Sequence, residues 1–177
     1  MRPWRRKKGA KSVVDKGATI MATRIFVHGL YSSNKGIKAS FFRELYPDVI
    51  LPNFVGSLEE RMQVLREALD GKSDIVLVGS SFGGLMATLY ALEEEDKIRR
   101  LVLLAPALNF AKPSSLAGKI LSVPTWIYHG IKDDVIPIRD IKDIGQRLFK
   151  RLTFVELDDD HNLHSTFRQL PWEELLA

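Results

Sequence analysis

The chain has 177 residues, 45% of them hydrophobic, and a formal net charge of +4; this suits the core of one ordinary domain and would be cramped for two. It contains no cysteine, which excludes disulfides, thiolate nucleophiles and cysteine-ligated zinc and is compatible with a cytoplasmic location. The positive charge is concentrated at one end, where Arg2, Arg5, Arg6, Lys7, Lys8, Lys11 and Lys16 face only Asp15, so the body of the chain is slightly acidic and no nucleic-acid partner is expected of it.

Residues 1–23 lack the apolar run of a secretory signal or a membrane span and read as a disordered basic leader, with Met21 as an alternative start. The secondary reading of this leader is an arm drawn to nucleic acid or to an anionic membrane through a screened field. No integral membrane segment is expected, and no residue pattern specifies an oligomeric state. The folded unit is placed at residues 24–177 as a single domain.

From Arg24 onward, short apolar runs alternate with helical patterns, as in a parallel sheet covered on both faces. The runs "RIFVHG", "DVILPNF", "DIVLVGS", "RLVLLAP", "PTWIYHG" and "LTFVELD" give about six mainly parallel strands, each ending in turn chemistry. Between the second and third, "SLEERMQVLREALDG" opens on Ser57 and Glu60, a capping box, and closes at Gly71, suited to follow a helix C-terminus. Leu58, Met62, Leu65 and Leu69 share one face of this helix and are assigned to the core rather than to a ligand. Leu85 to Glu94, Ile138 to Phe149 and His164 to Leu176 read as the other main helices.

The third run continues as "VLVGSSFGG", which places Gly79, Ser80, Ser81, Phe82 and Gly83 in the pattern G-x-S-x-G between a strand and a helix. A sharp strand-to-helix turn of this kind exposes the central hydroxyl of Ser81. Side chains at 79 and 83 would collide across it, so glycine stands at both positions. Gly84 lets the helix approach the sheet closely. The same turn aims the first amides of the helix at a reacting carbonyl, which makes the Phe82 N–H one oxyanion donor.

Three further stretches extend this pattern along the chain: "FVHGLYSSNKG", "YHGIKDDVIP" and "ELDDDHNLHS". With the elbow at Ser81 they resemble the α/β-hydrolase superfamily, and in particular its small lidless bacterial serine esterases, from Arg24 to about Trp172. The resemblance implies a compact α/β-hydrolase fold without a large lid, since "APALNFAKPSSLAGKILSVP" is short where related enzymes insert helices, and too few residues precede "RIFVHG" for the extra strands that begin larger members.

It also implies roles for residues. The His-Gly loop supplies the second oxyanion amide, Leu30 N–H, with His28 shaping the turn. Asp133 is the acid, with Asp134 the alternative or a cap for the helix near Pro137. His161 is the proton-transfer base, His164 a helix-surface residue, and Asp158, Asp159 and Asp160 solvated loop charges. The order Ser81, Asp133, His161 is that of the family. Leu30, Tyr31, Leu108 and Phe110 are candidate walls of the substrate pocket, or equally ordinary apolar residues.

The function implied is hydrolysis of small carboxylic esters through an acyl-enzyme, with a small acyl ester as substrate and with neither metal nor organic cofactor. Thioesters or amides cleaved by the same residues are the alternative chemistry, and dehalogenase chemistry is disfavoured because the elbow carries serine rather than aspartate. A noncatalytic receptor or interaction module is the alternative class, since a fold does not by itself establish chemistry.

Overall fold

A computed structural model describes residues 22–177; the leader expected over residues 1–23 lies almost wholly outside the described residues. Five strands form the sheet: β1 (Thr23–Val27), β2 (Ile75–Ser80), β3 (Ile98–Leu104), β4 (Thr125–Gly130) and β5 (Leu152–Leu157), all parallel and in the order β1-β2-β3-β4-β5. The helices are α1 (Ile37–Leu45), α2 (Leu58–Ala68), α3 (Phe82–Glu93), α4 (Pro113–Leu116), α5 (Ile138–Leu148) and α6 (Trp172–Leu175).

The strand expected at "DVILPNF" is reduced to a single parallel bridge, Ile25 to Ile50, held by Phe26 N–H to Ile50 O and Ile50 N–H to Arg24 O. Pro47 and Pro52 bracket this bridge, and a proline has no N–H to extend the ladder. Among the described residues the sheet therefore has five strands rather than six. The chain still visits the far side of β1 at Ile50 before returning to its other side as β2, so β1 lies between two segments reached in opposite directions. In open parallel sheets, a crevice forms at the carboxyl ends of the strands where the winding reverses in this way.

Alternation along the strands supplies two cores. Ile25, Val27, Ile75, Leu77, Leu101, Leu103 and Ile127 point to one face, where Met62 and Leu65 of α2, Met86, Ala87 and Tyr90 of α3, and Ile141 and Leu148 of α5 cover them. Phe26, Val76, Val78, Val102, Leu104 and Tyr128 point to the other, against Phe41 and Phe42 of α1 and Trp172 and Leu175 of α6. Burial on both faces is why these strands read as continuous apolar runs. The second core is strongly aromatic: Phe42 meets Trp172 edge-on at 4.9 Å and Phe41 meets Phe167 edge-on at 5.0 Å, a favoured ring geometry.

Helix boundaries follow the capping chemistry where it exists. Ser57 Oγ accepts from the Glu60 N–H and Glu60 Oε2 accepts from the Ser57 N–H, closing the expected capping box. Gly71 adopts φ +66° beyond the end of α2. Helix α3 begins three residues earlier than its pattern suggests, directly at Phe82, because close packing of Gly83 and Gly84 overrides their low helix propensity. The helix expected over His164 to Leu176 is instead a 3-10 turn at Phe167–Gln169 followed by the short α6. Pro171 separates them, and a buried carboxylate, Asp159, takes the N–H groups of Ser165 and Thr166.

Removing the reciprocal cap should weaken α2 without touching the sheet. Ser57→Ala is expected to lower the urea-unfolding free energy by about 1 kcal/mol, read from the shift in denaturation midpoint at unchanged slope.

Candidate active site

The turn from β2 into α3 is set by backbone crowding. A Cβ built on Gly79 would lie 2.5 Å from Gly83 O and 2.8 Å from Gly84 Cα, and one on Gly83 would lie 2.1 Å from Val27 O at the end of β1. No side chain fits in either place, so the helix passes directly over the strand ends. Between them, Ser81 is held at φ 53° and ψ −118°, outside the regions open to residues with a Cβ. The conformation is fixed by Ser81 N–H to Leu104 O, and by the N–H groups of Gly84 and Ala107, which both donate to Ser81 O.

Ser81 Oγ lies 3.0 Å from His161 Nε2, and His161 Nδ1 lies 2.7 Å from Asp133 Oδ2. The carboxylate accepts only, so the proton sits on Nδ1 and Nε2 is free to accept from the serine hydroxyl. The Asp133 side chain is fully buried. Its other oxygen, Oδ1, accepts from the N–H groups of Val135 and Ile136. Three residues from three loops thus form one continuous hydrogen-bonded chain. Asp134, the alternative acid, is exposed and outside this chain, and α5 follows its N-cap residue Pro137 with no side-chain cap.

Gly130, at the end of β4, brings the aspartate and histidine loops together. A Cβ there would lie 2.3 Å from Asp159 O and 2.5 Å from Asp160 O. The two loops are also joined by Ile131 N–H to Leu157 O and Lys132 N–H to Asp159 O. The expectation of three solvated aspartates is corrected here. Asp158 pairs with Lys132 at the surface, but Asp159 is buried and accepts from the N–H groups of Asp160, Ser165 and Thr166 and from the Thr166 hydroxyl. Burial alone pushes its carboxyl up, yet these hydrogen bonds together outweigh burial and hold it below its usual range. Asp160 receives His164 Nδ1 at 2.7 Å, a bond that lowers the Asp160 carboxyl. His164 therefore sits in a turn rather than on a helix.

Two further histidines are buried without touching the serine. His28 accepts from Phe54 N–H at Nε2 and donates from Nδ1 to Gly29 O, an arrangement that shapes the loop after β1. Burial lowers its pKa, consistent with a neutral ring. His129, in the "YHG" preceding Asp133, was not singled out by sequence. Its Nε2 lies 3.0 Å from both Ile136 O and Asp133 Oδ2, two acceptors, so it carries the proton there. Burial lowers its pKa as well, which makes it a neutral donor to the same carboxylate oxygen that faces His161.

The hydroxyl opens into a cavity of about 690 Å³ lined by Gly29, Leu30, Tyr31, Phe82, Phe110 and Ile136 among others. Leu108 does not line it: the 3-10 turn at Leu108–Phe110 buries Leu108 in the core beside α5 and leaves Phe110 exposed. The loop carrying Leu30 runs past the serine, since a Cβ on Gly29 would lie 3.9 Å from Ser81 Oγ. Among the described residues, neither the Leu30 N–H nor the Phe82 N–H has a hydrogen-bond partner. No described helix is long and apolar enough to cross a membrane.

The backbone strain at Ser81 and the burial of Asp159 each have a measurable signature. Ser81→Gly is expected to be more stable than Ser81→Ala by roughly 1 kcal/mol, because relief of the Cβ strain exceeds the extra freedom of glycine in the unfolded chain; thermal unfolding of the two variants compares them with the hydroxyl absent from both. Asp159→Asn should be less stable than wild type at neutral pH. Because the folded-state carboxyl is depressed, that gap should narrow as pH falls below the ordinary Asp value of 3.8, which a series of melts against pH would show.

No curated protein matches the chain in sequence. Among solved structures, alpha/beta hydrolase domain-containing protein 10 from mouse superposes with a TM-score of 0.70 at 17% identity, covering 84% of each chain. Est1E from Butyrivibrio proteoclasticus, solved with ferulic acid, gives 0.69 at 17% identity, covering 88% of this chain and 86% of that one. A Paleococcus ferrophilus monoacylglycerol lipase gives 0.66 at 18% identity, covering 88% and 96%. A family model described as alpha/beta hydrolase fold matches residues 52–145, more than half of the sequence. With the parallel sheet and the serine elbow in place, the chain belongs to the α/β-hydrolase family.

Proposed function

We propose that the protein is a serine carboxylesterase that cleaves small acyl esters through an acyl-enzyme. The observation that carries this reading is the unbroken chain from Ser81 Oγ to His161 Nε2 and from His161 Nδ1 to the buried Asp133. In it, His161 takes the Ser81 proton as the hydroxyl attacks the ester carbonyl, and Asp133 stabilises the imidazolium that results. The tetrahedral oxyanion is held by the N–H groups of Leu30 and Phe82. His161 then gives its proton to the departing alcohol, leaving the acyl group on Ser81. Water, deprotonated by the same imidazole, attacks the acyl-enzyme; collapse of the second tetrahedral intermediate returns the proton to Ser81 and releases the acid.

Leu30, Tyr31 and Phe110 supply apolar walls beside the serine, with Lys38 and Arg168 also in the lining, which suits an acyl chain or an aromatic acid. The likeness to Est1E, solved with ferulic acid, and to a monoacylglycerol lipase supports an acyl ester as the substrate class. A cavity walled by a few apolar side chains discriminates weakly, since each methylene contributes about 1–3 kcal/mol, so activity across several short acyl lengths is expected.

A fluorophosphonate probe should label the folded protein at Ser81, and Ser81→Ala should abolish both labelling and hydrolysis of p-nitrophenyl esters. Labelling at another serine, or none on folded protein, would reject the reading. Asp133→Asn should lower kcat by several orders of magnitude while Asp134→Asn changes it little; the reverse ranking would transfer the acid role to Asp134.

A further inference from the structure

Helix α2 directs one arginine inward. Arg61 is 5% exposed, and among the described residues no carboxylate lies within salt-bridge distance of it, whereas Arg66 on the same helix pairs with Glu59 and Glu93. Burying a guanidinium without a counter-charge is costly. A well-packed apolar side chain would fill the same space without that penalty. Burial lowers the Arg61 pKa, but a guanidinium keeps its charge in proteins.

Its contacts show where that charge is placed. Arg61 Nε donates to Gly56 O at 2.9 Å, and Nη2 donates to Leu30 O at 3.2 Å. The guanidinium carbon lies 5.8 Å from the centre of the Phe82 ring. Nη1 is buried without a partner among the described residues. One side chain therefore touches both residues whose amides are assigned to the oxyanion, and it does not itself line the cavity.

We infer that Arg61 is a positioning residue for the oxyanion site: it fixes the Leu30 loop through the Leu30 carbonyl and places uncompensated positive charge behind the wall made by Leu30 and Phe82. This rests on the esterase reading and on the assignment of those two amides. Among the described residues the charge has no anion within ion-pairing distance in the resting protein. It acquires one when the substrate carbonyl oxygen becomes an oxyanion, so it acts more strongly on the transition state than on bound ester. A lysine at this position would keep the charge but could not span Gly56 O and Leu30 O with a planar fork.

The test uses the full chain with Arg61→Met and Arg61→Lys, active sites counted by fluorophosphonate titration, and kcat and KM measured on a p-nitrophenyl ester. Affinity for an alkylboronic acid, which forms a charged tetrahedral adduct on serine, is measured alongside. Loss of about 10²-fold in kcat per titrated site is expected for Arg61→Met, with KM changed less than about threefold and boronate affinity falling in step. Arg61→Lys should recover part of both losses, and it serves alone if the methionine variant fails to fold, in which case it should fall below wild type in kcat per site and in boronate affinity. A variant that melts lower but keeps wild-type kcat per titrated site and wild-type boronate affinity would reduce Arg61 to a structural residue and overturn the inference. Wild type that neither labels nor hydrolyses would overturn the esterase reading and the inference with it.

Discussion

The tight crossing of α3 over the ends of β1 and β2 is the constraint from which the site follows. Backbone meets backbone there, with space for no atom beyond a glycine hydrogen at positions 79 and 83. The chain can reverse from strand to helix in that space only by holding Ser81 at a positive φ. That conformation leaves the hydroxyl at the mouth of a cavity, at the positive end of a twelve-residue helix. Strain at this residue is maintained by neighbours that cannot yield: strand β3 receives the Ser81 N–H, and the loop after it donates back to the Ser81 carbonyl.

A second close approach completes the arrangement. Gly130 allows the backbone of Asp159 and Asp160 to lie against the end of β4, and the buried Asp159 carboxylate then folds the following turn around itself. His161 is held between these two features, near enough to Asp133 for a direct bond. Helix α1 closes the layer on that side: its aromatic side chains pack on Phe167 and Trp172, and Lys38 Nζ donates to Asn162 O beside the histidine. Fold stability and site geometry thus share the same contacts, so a change that loosens the loop after β5 acts on both.

The sequence made some of this legible and not the rest, for identifiable physical reasons. The apolar runs of the five strands, the Ser57 and Glu60 cap and the glycines around Ser81 are local signals, each written within a few residues. Their structural expression matches the reading. At Ile50 the apolar content predicts a full strand, and the two flanking prolines limit it to a single bridge. The pattern after His164 predicts one long helix, and Pro171 and the competing carboxylate of Asp159 divide it. Helix α1 escaped notice because its buried face, Ala39, Phe41 and Phe42, gains meaning only from aromatic partners more than a hundred residues away. Arg61 and His129 carry no distinguishing local pattern either: the contact of Arg61 with the Leu30 carbonyl, 31 residues away, and of His129 with Asp133 across the turn after β4 exists only once the chain is folded.

On the proposed esterase reading, a strained serine, an imidazole and a buried carboxylate act together beside two free amides. A crystal structure of the protein after reaction with an alkyl phosphonate tests it most directly, because the phosphoryl oxygen occupies the place of the oxyanion. Phosphorus should be bonded to Ser81 Oγ, with the phosphoryl oxygen about 2.7–3.1 Å from both the Leu30 and the Phe82 nitrogen and His161 still bonded to Asp133. A phosphoryl oxygen directed to solvent, or an adduct on another residue, would contradict it.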